Sequence, residues 1–365
     1  MRAVVLVGGQ GTRLRPLTLT TPKQLLPIAG VPMIERVLKA LAGAGITDAV
    51  LSLGYRPDAF TQAYPGGSVE GVTLAYAVEP EPLDTAGAIR FAADAGGIDG
   101  TFVVLNGDVL TAWRILDLVD LHRSSNAAAT IALTPVDDPS RFGVVPTDES
   151  GRVVAFIEKP PAGTEPTNYI NAGIYVLEPS VLDQIPKGRR VSIERETFPA
   201  LASQSKLFAM GSDAYWIDAG TPQAYIQANL DLVAGEIFGE IPPLPGAELV
   251  AEQVWVQHLD GQSQPALIEG DVTGPALICA GACIAKKAVV SSSIIGANTR
   301  VESMAEVTGS VLMDGARVRE RAVVESSVVG ELACVGQGAV ARGLTMIGYG
   351  AKLGDGAVLD GASLQ

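Results

Sequence analysis

A short apolar run, Ala3 to Val7, opens directly into Gly8-Gly9-Gln10-Gly11-Thr12-Arg13-Leu14-Arg15-Pro16. A glycine-rich turn after a strand lets the backbone pass close to a chain of phosphates and aim its N–H groups at them. Arg13 and Arg15 add what amides lack, full positive charge and a planar fork that fits phosphate oxygens, and Lys23 follows shortly after. Two common glycine motifs are excluded. A P-loop ends in Gly-Lys-Ser/Thr, and the dinucleotide fingerprint places a glycine where Leu14 stands. A plain strand-to-helix turn would account for the glycines but would leave the arginines and Lys23 without a purpose.

Carboxylates stand at other strand ends. Asp108 follows the apolar run Phe102 to Leu105 and the pair Asn106-Gly107; Asp218 follows Tyr215-Trp216-Ile217. Such oxygens suit a hard cation, which commonly takes one or two carboxylates together with substrate phosphates. The same positions also suit helix caps and turns, and residue types alone leave both readings open. Glu158-Lys159 closes the run Val153 to Ile157 just before Pro160, which by itself reads as a solvated loop. Nucleophilic triads are absent. His122 and His258 are the only histidines, and Cys279, Cys283 and Cys334 contain no CxxC pair, which argues against a disulfide framework and a structural zinc site.

The elements that must hold these residues are legible. Through about residue 235, apolar runs alternate with helical patterns, as in an α/β domain on a mostly parallel sheet. Strands are expected at Ala3 to Val7, Ala49 to Leu53, Phe102 to Leu105 and Ala128 to Leu133. A helix is expected from Pro32, with Ile34, Val37, Leu38 and Leu41 on one stripe, and another from Thr221-Pro222 with Thr221 as its cap. Ile241-Pro242-Pro243-Leu244-Pro245-Gly246 cannot continue a helix and reads as a linker. This divides the chain into a domain over residues 1–240 and a second over 247–365. In the second, aliphatic residues recur every six positions: Ile278, Ile284, Val290; Ile295, Val301, Val307; Leu312, Val318, Val324; and Ile347, Leu353, Leu359. A hexapeptide repeat of this kind implies a left-handed β-helix with an aliphatic interior, its register shifts marking coils cut short.

Taken in order, the motifs resemble those of the sugar-phosphate nucleotidyltransferases, and most nearly the mannose-1-phosphate guanylyltransferases. The resemblance rests on Gly8 to Thr18, Pro22-Lys23-Gln24-Leu25-Leu26-Pro27, Glu79 to Ala88, Asn106-Gly107-Asp108, Phe142 to Val145, Glu158-Lys159-Pro160, Asn171 to Tyr175 and Trp216 to Pro222. With the hexapeptides it covers nearly the whole chain. It implies a Rossmann-like catalytic domain before the β-helix, and Mg²⁺ held by Asp108 and Asp218. It also implies Arg13 and Lys23 on the reacting phosphates, and nucleotide contacts from Gly8, Gly9, Gly11, Thr12, Glu79, Asp84 and Thr85. Gly143, Glu158, Lys159 and Asn171 would line the site for the sugar phosphate.

Glu79 corresponds to a position where related thymidylyltransferases carry a base-reading Gln. A carboxylate only accepts hydrogen bonds, and guanine offers two adjacent donors, so GTP is the favoured donor. The resemblance implies mannose 1-phosphate as its partner, while nothing in the sequence itself separates mannose from glucose, which differ only at C2. Two departures keep glucose 1-phosphate with dTTP or UTP in competition: Asp84 stands where the family usually has glycine, and Gln24 where proline is more common. A regulatory subunit without turnover would lack at least one of Arg13, Lys23, Asp108 or Asp218, and all four are present. An acyltransferase β-helix would need a histidine among its regular coils, and none follows His258. The net charge of −14 disfavours nucleic acid and anionic membranes as partners. A cytoplasmic location and homo-oligomer contacts through the β-helix complete the expectations.

Overall fold

The structure is a computed structural model that describes residues 1–239, 242–258 and 264–365. The expected domain end at residue 240 and the first linker residue, Ile241, lie outside the described residues. By contact density the chain forms two compact units: Met1–Gly9 with Ile34–Trp216, and Gln10–Met33 with Ile217–Gln365. The segment carrying Arg13 and Lys23 therefore clusters with the C-terminal part of the chain.

The first unit is built on a mixed sheet with a parallel heart. Strands β1 (Arg2–Leu6), β2 (Asp48–Leu53), β3 (Val72–Val78) and β4 (Phe102–Asn106) run parallel in the order β4-β1-β2-β3. Beyond β4 the sheet turns antiparallel: β6 (Tyr169–Leu177) pairs with both β4 and β5 (Ala129–Pro135), and β7 (Leu207–Gly211) adds parallel to β5. Parallel strands covered on both faces read as unbroken apolar runs, and Phe102, Val103, Val104 and Leu105 are all buried.

Local signals explain the helices. In α1 (Met33–Gly43) Ile34, Val37, Leu38 and Leu41 are buried as their spacing requires. Helix α2 (Asp84–Gly96) ends on Gly97 at φ 61°, the left-handed cap that glycine favours. Helix α3 (Ile115–Ser125) buries His122, whose ring lies 2.8 Å from Thr130 Oγ1 and 3.1 Å from Glu178 Oε1. Burial lowers its pKa despite the Glu178 contact, so this histidine is a structural, neutral one. In the second unit, α4 (Pro222–Ala234) is capped by Thr221, whose hydroxyl accepts from the Ala224 N–H.

One strand is shorter than expected. The run from Val153 joins the sheet only at Ile157–Glu158; Val153 makes an isolated bridge to Thr147, and the Val154 N–H bonds to the Pro146 carbonyl. Val153 and Phe156 are buried, so the run's apolar character serves core packing without a strand ladder.

In the second unit the chain winds through three sheets, each gaining one short strand per coil and parallel throughout except where Ala247–Ala251 pairs antiparallel with Val254–Gln257. Leu277 pairs with Ile294, Ile294 with Val311 and Val311 with Val328, a coil of 17 residues; Val328 to Met346 takes 18. Two six-residue sides and one five-residue side make a 17-residue coil, which explains the register shifts between hexapeptide runs. All the expected interior positions are buried except Leu359, which is partly so. The sequence pattern misses one coil, Val329-Val335-Ala341, because alanine fills its third position. At its exit two consecutive left-handed residues, Gly343 and Leu344, take up the extra residue. A polar column also runs inside: Ser293, Ser310, Ser327 and Thr345 are fully buried, and Ser310 and Ser327 donate their N–H groups to the hydroxyl of the coil before. The four hydroxyls donate in turn to nearby carbonyls, Ser293 to Ser291, Ser310 to Thr308, Ser327 to Glu325 and Thr345 to Arg342, so each buried hydroxyl is paired.

Candidate active site

In the first unit the candidate residues gather at the carboxyl ends of the parallel strands. β1 leads to Gly8 and Gly9, β3 to Glu79, and β4 to Asp108. The connectivity reverses at β1, whose neighbours are β2 on one side and β4 on the other. In open α/β sheets, ligands bind outside the strand ends at such a switch point. The Val7 N–H bonds to the Ser52 carbonyl and the Gly107 N–H to the Leu6 carbonyl, so the glycine turn and the half-buried Asp108 emerge from strands tied edge to edge.

Glu79 is held rigidly. Its Oε1 accepts from the buried Ser52 hydroxyl at 3.0 Å, and its Oε2 from the Leu83 N–H at 3.1 Å. A methyl group on Gly8 would sit 3.4 Å from Oε1, so Gly8 and Glu79 are close neighbours. Asp84 adopts φ 59°, a left-handed conformation that explains why glycine suits this position. Its own side chain compensates: Oδ1 accepts from the Thr85 N–H at 3.0 Å and Oδ2 lies 3.6 Å from Arg190 Nε. The Thr85 hydroxyl donates to Glu194 at 2.7 Å and accepts from the Ile193 N–H at 2.8 Å. These bonds, with those from the Ala86 and Gly87 N–H groups to the Val191 carbonyl, clamp the start of α2.

The expected sugar-phosphate residues also meet. Gly143 pairs with Glu158, and a methyl group on Gly143 would strike the Phe156 ring at 2.6 Å and approach Glu158 Oε2 at 3.2 Å. Lys159, at φ 50°, turns its ammonium to within 3.2 Å of Glu158 Oε1. Asn171 sits where β6 bulges, donating to the Tyr175 hydroxyl at 2.8 Å and accepting from the Gly173 N–H at 2.9 Å. The bulge needs Gly173: at φ 75° a Cβ there would lie 2.6 Å from the Asn106 amide. Tyr175 is buried, and its pKa is raised first by that burial and then by Glu194, with Glu158 and Asp108 adding to the rise. It stays a neutral phenol that fixes Asn171.

The second unit holds the other set. Gly11 takes φ 60°, and a Cβ there would strike Thr18 at 2.8 Å and the Lys23 stem at 3.1 Å. The loop continues through three short 3₁₀ turns, Thr12–Leu14, Leu17–Leu19 and Lys23–Leu25, with Leu14 and Leu17 buried and Thr12 and Arg13 exposed. Lys23 is only 6% exposed. Its ammonium lies 3.8 Å from Asp218 Oδ1, and Arg13 Nη2 lies 3.8 Å from Asp218 Oδ2. Asp218 Oδ1 also accepts from the Gly220 N–H at 3.0 Å. Two cations thus converge on one carboxylate, an arrangement that can bind an anion and a metal together.

Ser52 escaped the sequence reading as a hydrogen-bond partner of Glu79. Gln24 is 3% exposed and its Oε1 has no hydrogen-bond partner among the described residues. Its one sequence signal was its departure from proline. Among those residues there is also no cluster of three His, Cys, Asp or Glu side chains that could hold a metal unaided, and no helix long and apolar enough to cross a membrane.

Residues 2–235 match the family model for nucleotidyl transferase, and residues 272–364 match that for the GMPPB C-terminal domain. The chain is 47% identical over 235 residues to the mannose-1-phosphate guanylyltransferase of Mycobacterium tuberculosis, a match covering 64% of this chain and 65% of that protein, just under two thirds of its length. A protein of Oryza sativa subsp. japonica named "Probable mannose-1-phosphate guanylyltransferase 2" is 38% identical over 327 residues, covering 84% of this chain and 89% of the rice protein. Among solved structures, HddC from Yersinia pseudotuberculosis complexed with GMP-PN superposes with a TM-score of 0.53 at 29% identity, over 62% of this chain and 97% of that one. With a family match over more than half of its length and a relative matched over 84% of it, the chain belongs to the sugar-phosphate nucleotidyltransferase family and is similar to its mannose-1-phosphate guanylyltransferases.

Proposed function

We propose that the protein transfers a guanylyl group from GTP to mannose 1-phosphate, giving GDP-mannose and pyrophosphate. The observation that carries this reading is the convergence of Arg13, Lys23 and Asp218 around Gly220. The relatives' names and the guanine nucleotide in the HddC complex support the substrate pair. Catalytic work falls to residues 1–240 and a structural role to 247–365.

An oxygen of the sugar phosphate attacks the α-phosphorus in line; one P–O bond forms, and the bond to the leaving pyrophosphate breaks. That oxygen is already ionised, so no protein base is required, which agrees with the absence of a histidine from these residues. Arg13 and Lys23 stabilise the charge that builds on the phosphates. The Gly8, Gly9, Gly11 and Thr12 segment supports the triphosphate, Glu79 meets the guanine edge, and the clamped Asp84-Thr85 turn holds the base loop. Gly143, Glu158, Lys159 and Asn171 orient the sugar phosphate.

Nucleotidyltransferases of this family generally use a divalent metal, and we propose Mg²⁺, held by Asp108 and Asp218. With no larger acidic cluster among the described residues, such an ion would complete its shell from substrate phosphates and water, as Mg²⁺ does. When bound it would neutralise phosphate charge.

Pyrophosphate release measured with Mg²⁺, each of GTP, ATP, CTP, UTP and dTTP, and mannose or glucose 1-phosphate tests the reading. Turnover confined to GTP with mannose 1-phosphate is expected. A preference for dTTP or UTP with glucose 1-phosphate would keep the reaction class and overturn the substrate pair, and no turnover in folded protein would favour a regulatory subunit. The reaction is proposed to be cytoplasmic. We further propose homo-oligomer contacts through the β-helix; truncation after Phe238 is expected to lower the subunit number in sedimentation, and an unchanged monomer would remove the proposal.

A further inference from the structure

The Ser52 hydroxyl is fully buried on β2, in register with Leu6 of β1 and Ala77 of β3. It has two acceptors within reach, Glu79 Oε1 at 3.0 Å and the Ala88 carbonyl at 3.3 Å. A hydroxyl carries one proton, and the nearer, charged acceptor takes it. A glutamate carboxylate turns easily about its last bond, because that torsion has broad wells. Here the Ser52 hydroxyl fixes Oε1 and the Leu83 N–H fixes Oε2, so the carboxylate plane cannot rotate without breaking both bonds.

Each carboxylate oxygen has about two acceptor positions. One on each is used internally, which leaves one on each for a ligand. A pair of fixed, adjacent acceptors matches a ring edge with two adjacent N–H donors and rejects an edge that places an acceptor there. We propose that Ser52 is a positioning residue for base selection, acting through Glu79 to hold that pair of acceptors in the orientation a guanine edge requires. The inference rests on the reading of Glu79 as the base-reading residue.

The test measures kcat and KM for GTP and ATP, with mannose 1-phosphate, in the unmodified protein, Ser52→Ala, Glu79→Gln and the double variant. Ser52→Ala is expected to raise KM for GTP about tenfold with kcat within about twofold, and to lower the GTP-to-ATP preference about tenfold. Glu79→Gln is expected to lower that preference further, and the double variant to be no worse than Glu79→Gln, since the two side chains act as one unit. If Glu79→Gln leaves the preference intact, the reading of Glu79 fails and takes the inference with it. If Glu79→Gln abolishes the preference while Ser52→Ala keeps it, or the two losses add in full, only the role of Ser52 is overturned. A lower unfolding temperature for Ser52→Ala with an unchanged preference would likewise reduce Ser52 to a packing residue.

Discussion

Replacing Lys23 with methionine is expected to lower kcat by a factor of about 10²–10³, the usual cost of removing one charge-stabilising group from an active site. The same change should move the unfolding temperature by only a few degrees. Both halves follow from the burial of Lys23. Its side chain is 7% exposed and its ammonium lies 3.8 Å from Asp218 Oδ1. Removing one charge of a buried pair is usually costly, but the Asp218 side chain is 30% exposed and keeps Arg13 beside it, and methionine fills much the same space without the solvation cost of the ammonium. Pyrophosphate release at saturating substrates and thermal unfolding, read on the same preparation, check the two halves separately. A kcat within tenfold of the unmodified protein would remove Lys23 from the reacting centre. A large fall in unfolding temperature would instead make it a structural residue.

Much of this arrangement is visible in the sequence wherever one residue type answers a local demand. The glycines and cations of the first loop, the Thr221 cap, the stripe on α1 and the aliphatic column of the β-helix are all problems solved within about twenty residues of chain. The sequence was silent where the solution spans long separations. A Cβ on Gly348 would lie 3.0 Å from Pro16 Cβ and Cγ, the Ala29 N–H bonds to Asn229 Oδ1 at 2.7 Å, and Gly30 approaches Leu244. These contacts draw Gln10–Met33 into the second compact unit, yet none leaves a period or a motif to read. The Ser52 to Glu79 bond was hidden for the same reason: a serine inside an apolar strand looks like an ordinary β residue until its neighbour is known. Asp84 shows the converse case. Its departure from glycine was legible at once, whereas the left-handed backbone that makes it a departure appears only in the fold.

Gly220 gives the second large effect, and here too activity and stability should part. A Cβ added at this position would lie 2.8 Å from Arg13 Nη2, 2.8 Å from Asp218 Oδ1 and 2.9 Å from Lys23 Nζ. All three atoms are the far ends of side chains, so they can swing aside without moving the backbone, and Gly220→Ala should change the unfolding free energy by only about 1 kcal/mol. Moving aside, however, separates the two cations from the carboxylate they share. Displacements near 1 Å in a reacting site can cost about two orders of magnitude in rate, so Gly220→Ala is expected to lower kcat/KM by a factor of about 10². The loss should fall mainly on kcat, because the base and sugar contacts proposed for Glu79 and Glu158 are made by residues in the other compact unit. Steady-state kinetics together with denaturant unfolding decide the matter. Near-normal turnover in Gly220→Ala would mean that the close approach of Arg13, Lys23 and Asp218 is not the catalytic geometry, whereas a collapse of stability would mean that Gly220 is needed by the backbone and not by the charges around it.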